Sequence, residues 1–389
     1  MTGAHSPSRS KSTSAGHSWR SLVVLGVGMA LVVAVIGVTI VAHSSGGKVS
    51  ATPTTVPSAL PAASRLALNV VAVAPADGAS GVASDATITV QFSVPLAAHS
   101  PVPTLTPPLA GTWQQVNATT MAFVSSAPLV PSSSVTVSVP AGSVGIVSAA
   151  GQTLAQGAIT HFAVSPGSTL RLQQLLAQLG YLPVSFTPAG QLAAPQELAQ
   201  PQEGTFSWRF AEPASLVAQW TPSTSNVLTQ GAVMRFEDKH NMTTDGQAGP
   251  GVWSALLADA SAGSVNGDAY NYVFVSKSLP QRATVYSNGA SVYSTLANTG
   301  ITGAETAVGT FPVFEHLTVT TMRGTNPDGT KYVDAGIPWV SYFNGGDALH
   351  GFVRPGYGYP QSVGCVELPP DNAGVVFPYT PIGTLVTVS

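Results

Sequence analysis

The sequence predicts a multidomain, mainly β chain: an N-terminal transmembrane helix, a β-sandwich, a small α-helical module and a C-terminal β-rich domain. Three observations carry this expectation. Val and Ile alternate with polar residues in short runs, as at Ile88, Val90, Phe92 and Val94, the period-2 signature of half-buried strands. The 389 residues include 39 Gly and 31 Pro, and only 8% are charged; turn residues at that density disfavour a helical bundle, and a typical soluble domain carries about 25% charge. One uncharged run near the N-terminus is long enough to cross a bilayer.

That run is LVVLGVGMALVVAVIGVTIVA, Leu22 to Ala42, preceded by Arg9, Lys11 and Arg20 with no acidic residue. At 1.5 Å per residue it reaches about 31 Å, the thickness of the hydrocarbon core. It exceeds a secretory h-region and ends without a well-formed small-x-small cleavage site, so an uncleaved anchor is the expectation and a long signal peptide the alternative. Residues 1–21 then form the cytoplasmic tail, 22–42 the span, and the rest of the chain lies outside the cytoplasm by the positive-inside rule. Residues 43–67, rich in Pro, Ser and Thr, contain nothing that builds a core and read as a linker.

Beyond the tail, 11 Lys and Arg stand against 17 Asp and Glu. A mildly acidic surface excludes nucleic acid as an expected partner. A single cysteine excludes an intramolecular disulfide framework and any cysteine-rich zinc site, and the eight His residues include no HExxH, so neither a metal nor a cofactor is expected.

Residues 68–165 show short strands separated by turn chemistry, at PADG (75–78), Pro107-Pro108, PSSS (131–134) and Gly151. Strands at such spacing predict a sandwich, with Trp113 in its core. The phrase PADGASGVASDATITVQFSVPL resembles the opening of bacterial Ig-like domains, which implies a spacer. In residues 166–262 the character changes. Leu170, Leu172, Leu175, Leu176 and Leu179 fall near helical spacing and stop at Gly180. With AVMRFEDKHNMTTDGQAGPGVWSALL (232–257) they resemble the peptidoglycan-binding helical module of wall enzymes, although the intervening segment is longer than that module's. Core is the expected role of the Leu, Phe and Trp residues in both pieces.

From 268 to 389 strand signals return at YNYVFVS, ATVYSNG, ASVYSTL, FPVFEHLTV and PWVSYF, and HGFVRPGYGYPQSVGCVEL holds the only cysteine. An exported lone thiol is buried filler, an intermolecular link or a reactive group. Gly364 before Cys365 lets a substrate approach the backbone, amides of the Ser-x-Gly-Cys turn can face an oxyanion, and His350 can accept the thiol proton.

His350-Gly351 followed by Ser362-x-Gly364-Cys365-Val366 resembles the signature of the YkuD-type L,D-transpeptidases, and TAVGTFPVFE (306–315) is similar to that family's TPxGxF strand. The resemblance implies a cysteine-dependent acyltransferase that cross-links peptidoglycan stem peptides through a thioester. In it Cys365 is the nucleophile, His350 the base, and the Gly351 carbonyl the imidazole's anchor. The Gly364 and Cys365 amides form the oxyanion hole, and Ser362 shapes the loop. It also implies acylation by carbapenems and no cofactor. Two positions depart from the pattern. Val363 stands where many members have His. Glu367 stands where Arg or Asn is common, and Arg354 is the candidate to replace that residue in holding a substrate carboxylate. The alternatives are an L,D-carboxypeptidase using water, a non-catalytic wall-binding protein, and an intermolecular disulfide at Cys365. Asp347 is read as a turn former and His316 as a strand residue.

Overall fold

The computed structural model describes residues 66–190 and 194–389. The expected tail, the expected span at 22–42 and nearly all of the linker lie outside them. Among the described residues no helix is long and apolar enough to cross a membrane.

The first domain is a two-sheet sandwich. Its strands are β1 (Val70–Ala74), β2 (Ala79–Val82), β3 (Ile88–Phe92), β4 (Thr104–Thr106), β5 (Gly111–Asn117), β6 (Thr120–Ser125), β7 (Ser134–Val139) and β8 (Ala158–Val164). They form sheets of order β1-β3-β6-β5 and β2-β8-β7-β4. The alternating Val and Ile residues face inward: Ile88, Val90, Phe92, Val135, Val137 and Val139 are all buried in one core. Trp113 packs at the margin of that core, edge-on to Phe123 with ring centroids 5.5 Å apart.

Next come α1 (Thr169–Gln178), the hairpin β9 (Val184–Pro188) and β10 (Gly204–Trp208), α2 (Ala214–Val217), α3 (Val227–Lys239) and α4 (Pro250–Ala262). The Ser168 Oγ accepts the Arg171 amide and caps α1, satisfying one of the donors a helix start leaves free. Leu172, Leu175, Leu176, Phe236, Trp253 and Leu256 share one core. The module is not purely helical: the long segment between α1 and α3 folds into the β9–β10 hairpin, because SFTP and TFSW alternate apolar and polar positions. Its Gln196 and Gln200 amides donate to Ser125 O and Ser84 Oγ of the sandwich.

The C-terminal domain contains β11 (Asn271–Ser276), β12 (Arg282–Ser287), β13 (Ala290–Leu296), β14 (Gly309–Pro312), β15 (Glu315–Thr325), β16 (Lys331–Asn344), β17 (Asp347–Gly351), β18 (Val366–Leu368), α5 (Pro370–Val376) and β19 (Leu385–Val388). They build a five-stranded sheet, β13-β12-β11-β19-β14, and a four-stranded one, β15-β16-β17-β18. The FPVFEHLTV run does not make one strand. Val313 bonds to Thr384 of the first sheet's neighbourhood and Phe314 to Tyr342 of β16, so the chain changes sheets between β14 and β15. Helix α3 packs on β14 and β19 so closely that a Cβ at Gly231 would lie 2.6 Å from the Gly383 carbonyl.

Candidate active site

The sequence-predicted residues His350 and Cys365 are fifteen positions apart, and β17 and β18 bring them together. These strands pair in parallel with Leu349 opposite Val366 and His350 opposite Glu367. Cys365 is two residues before Glu367, so period-2 alternation puts its side chain on the face that carries His350. Packing agrees. Leu349 and Val366 belong to the core beneath the sheet, whereas Ala348 and Cys365 sit with Ile337, Val340, Tyr342 and Phe352 on the other side.

His350 is buried, and its Nδ1 lies 3.1 Å from the Gly351 carbonyl. A carbonyl only accepts, so Nδ1 carries the hydrogen and the Nε2 lone pair is free to take a proton. Burial pushes the imidazole below its ordinary range; the Gly351 bond and the nearby Glu367 charge oppose this without reversing it. The thiol of Cys365 is pushed up to about 12, first by burial, with Asp347 and Glu367 adding to the rise and the Ala348 amide opposing it. Its Sγ donates to the Gly346 carbonyl at 3.5 Å. The resting pair is therefore neutral thiol and neutral imidazole, not thiolate and imidazolium.

Ser362 holds the turn in front of the thiol. Its amide donates to Thr299 O (3.1 Å), its carbonyl accepts the Ile301 amide (3.0 Å), and its Oγ donates to the Cys365 carbonyl (2.5 Å) while accepting the Gly364 amide (3.3 Å). Gly364 has φ +118°, a conformation other residues rarely adopt, and a Cβ there would lie 2.5 Å from Asp347 Oδ1. The chain can make this turn only with glycine.

Glu367 and Arg354 are joined to each other. The guanidinium donates through Nε to Oε2 (2.8 Å) and through Nη2 to Oε1 (2.7 Å), with a further bond to Gln361 O (3.3 Å). The same guanidinium lies over the Phe352 ring, 4.6 Å from its centroid. Glu367 is thus not a bare reversed charge, and Arg354 spends its planar fork on it.

Tyr342 and Tyr332, which sequence reasoning did not single out, lie beside the site together with Asp347, read from the sequence only as a turn former. Asp347 opens β17, and its Oδ2 accepts the Ala307 amide at 3.1 Å. Tyr342, opposite Ala348 in the β16–β17 pairing, and Tyr332 lie near Cys365, and burial first of all raises their phenols. The paired β15–β16 ladder that carries Tyr332 to this side could have been found from the polar NPDGT turn (326–330) flanked by alternating residues. His316 lies in β15, stacked on Phe377 at 3.7 Å with Nε2 3.0 Å from its carbonyl. Among the described residues no cluster of three or more His, Cys, Asp or Glu has metal-site geometry.

Fold and site define a two-sheet β domain with a histidine and a cysteine on one sheet face. Residues 270–388 match YkuD, the L,D-transpeptidase catalytic domain, and residues 64–164 match Big_5, the bacterial Ig-like domain. The C-terminal part of the chain is a YkuD L,D-transpeptidase catalytic domain, and a bacterial Ig-like domain precedes it. No curated protein matches the chain. Similar solved structures include L,D-transpeptidase 3 from Mycobacterium tuberculosis with a faropenem-derived adduct, at 14% identity over 82% of this chain and 97% of that one, TM-score 0.29. Another is an L,D-transpeptidase from Mycobacterium smegmatis, at 14% identity over 83% and 99%, TM-score 0.28. A third is the catalytic domain of the E. faecium L,D-transpeptidase, at 26% identity over 31% and 96%, TM-score 0.29.

Proposed function

We propose that the chain is a membrane-anchored, extracytoplasmic L,D-transpeptidase that cross-links peptidoglycan stem peptides through a Cys365 thioester. The observation that carries the reading is the shared face of β17 and β18, with the imidazole's Nδ1 tied down and its Nε2 lone pair free.

Because both groups rest neutral, the proton moves as the bond forms. Sγ attacks the carbonyl of the stem's third residue while its proton passes to His350 Nε2. The Cys365 amide is the donor proposed for the developing oxyanion, because the Gly364 amide is already engaged by Ser362 Oγ. The C–N bond then breaks, and the terminal D-alanine leaves with the proton from His350. A side-chain amine of a neighbouring stem attacks the thioester, C–N forms, and C–Sγ breaks to regenerate the thiol. The Arg354–Glu367 pair borders this path and supports a role in aligning the donor. The helical module serves as a wall-facing element beside the catalytic domain, and the Leu22–Ala42 run anchors the chain.

The test is intact-mass analysis of the full chain in detergent after incubation with a carbapenem. One adduct on wild type and none on Cys365→Ala is the expected result. No adduct on wild type, or an equal adduct on the variant, overturns the catalytic reading. With stem tetrapeptide as substrate, cross-linked dimer supports transpeptidation, and tripeptide alone points to L,D-carboxypeptidase action.

A further inference from the structure

Asp347 stands where three pieces of the catalytic domain meet. It follows the two-glycine turn from β16, since Asn344 and Asp347 are paired across Gly345 and Gly346. Its Oδ2 accepts the Ala307 amide at 3.1 Å, which ties the segment before β14 to β17. Its Oδ1 occupies the space a side chain at position 364 would need. The thiol, in turn, donates to Gly346 O, one residue before this carboxylate.

The charges around Cys365 are unequal. Glu367 (β18) is compensated by Arg354 through two bonds. From β17 and β16 the site is faced by His350, Asp334, Tyr332 and Tyr342. The cation that acts on Asp347 is Lys277, whose Nζ is engaged by the Thr306 carbonyl. Among the described residues, Asp347 is thus an anionic group beside the nucleophile turn that no ion pair neutralises, held by the Ala307 amide and by the Asn344 side-chain amide at 3.5 Å.

We propose that Asp347 is a positioning residue for Cys365, bracing the Gly364–Cys365 turn against the Ala307 segment and adding its charge to the burial that keeps the thiol neutral in the free protein. The proposal rests on the reading of Cys365 as the nucleophile. Its consequence is that the exported thiol is a poor target for adventitious alkylation and oxidation until a bound substrate brings its carbonyl to the His350–Cys365 pair.

The chain has one cysteine, so alkylation by iodoacetamide across a pH series reports on Cys365 alone. In full-length protein, Asp347→Asn keeps an acceptor for the Ala307 amide and removes the charge. The expected result is a pH midpoint below that of wild type, read from the whole rate–pH profile and not from the rate at one pH. Asp347→Ser, shorter and also uncharged, should shift the midpoint the same way. A loosened turn without an electrostatic role raises the rate at every pH and leaves the midpoint in place; that outcome, or no change in either variant, overturns the proposal. The carbapenem adduct on wild type is scored separately. An adduct with no midpoint shift sinks this inference alone, whereas absence of the adduct sinks the transpeptidase reading and the positioning role with it.

Discussion

Arg354 and Glu367 form a buried-edge ion pair with two hydrogen bonds, 2.8 and 2.7 Å long, and Glu367 sits in β18 two residues after the proposed nucleophile. Only 5% of the Glu367 side chain is exposed against 28% of Arg354, so the carboxylate depends on its partner for stabilisation. The bond to Glu367 also holds the guanidinium above its ordinary range.

Removing either partner alone should destabilise the domain by about 3–5 kcal/mol, because a buried charge is left unpaired. Arg354→Gln and Glu367→Gln measured singly by chemical denaturation should each show this loss. The double variant should recover most of it. Additive losses in the double variant would mean that the pair does not act as a unit. Exchanging the two charges should raise KM for the donor stem more than it lowers kcat.

The neutral thiol–imidazole pair sets the pH dependence. Burial holds His350 below its ordinary range, so it becomes protonated, and unable to act as a base, only in acid below that range. Carbapenem acylation should rise with pH through a midpoint below about 6.5 and be fully developed at neutrality. A midpoint above that value would contradict a buried neutral base. With its thiol lifted to about 12, Cys365 should also react with iodoacetamide at pH 8 roughly 10³-fold more slowly than free cysteine, from the thiolate fractions alone.

Ser362→Ala leaves the Cys365 carbonyl and the Gly364 amide without the hydroxyl that joins them. A loss of about 1–3 kcal/mol in stability is expected, and the acylation rate should fall more than ligand affinity does. Ser362→Thr keeps the hydroxyl and should retain more activity than Ala.

Gly364→Ala meets both a φ of +118° and the Asp347 carboxylate. Acylation by a carbapenem should be nearly abolished while the fold persists by circular dichroism. Substantial acylation would show that the turn tolerates a side chain.

In the helical module, burial first and then Asp245 push the Glu237 carboxyl up to about 7, against the amide of Gly246. The folded chain thus keeps a proton that the unfolded chain releases above about 4.5. The linkage sign is that this site's contribution to stability falls as pH rises from about 4.5 to 7. Thermal melts at pH 5 and pH 7 should show a smaller decline, or a reversed slope, in Glu237→Gln. An unchanged pH dependence would place the carboxyl outside this window.

Much of the architecture was legible because it is local. Alternating Val135, Val137 and Val139 can bury one face only as a strand, and Leu172, Leu175 and Leu176 can share one face only on a helix. What was missed depended on longer reach. The β9–β10 hairpin is a pair of runs sixteen residues apart between their starts and ends, Pro188 and Gly204, with no tight-turn signal to join them. FPVFEHLTV read as one strand because nothing in those nine residues marks a change of sheet. That change is decided by the partners Thr384 and Tyr342, which lie far away in the chain.

The sequence by itself determined that an Ig-like domain precedes the C-terminal domain, the lone cysteine and the histidine–serine–glycine–cysteine spacing that points to acyl transfer. It also determined that Gly364 precedes the thiol. Only the tertiary structure decided the charge states around that thiol. Arg354 pairs with Glu367, among the described residues Asp347 stands without an ion-pair partner behind the turn, and burial pushes the partly exposed Cys365 thiol up and the His350 imidazole down, both toward the neutral form. The reason is physical: covalent order fixes which groups exist, but ionisation depends on distance and solvent exclusion, which arise when β16, β17 and β18 pack together.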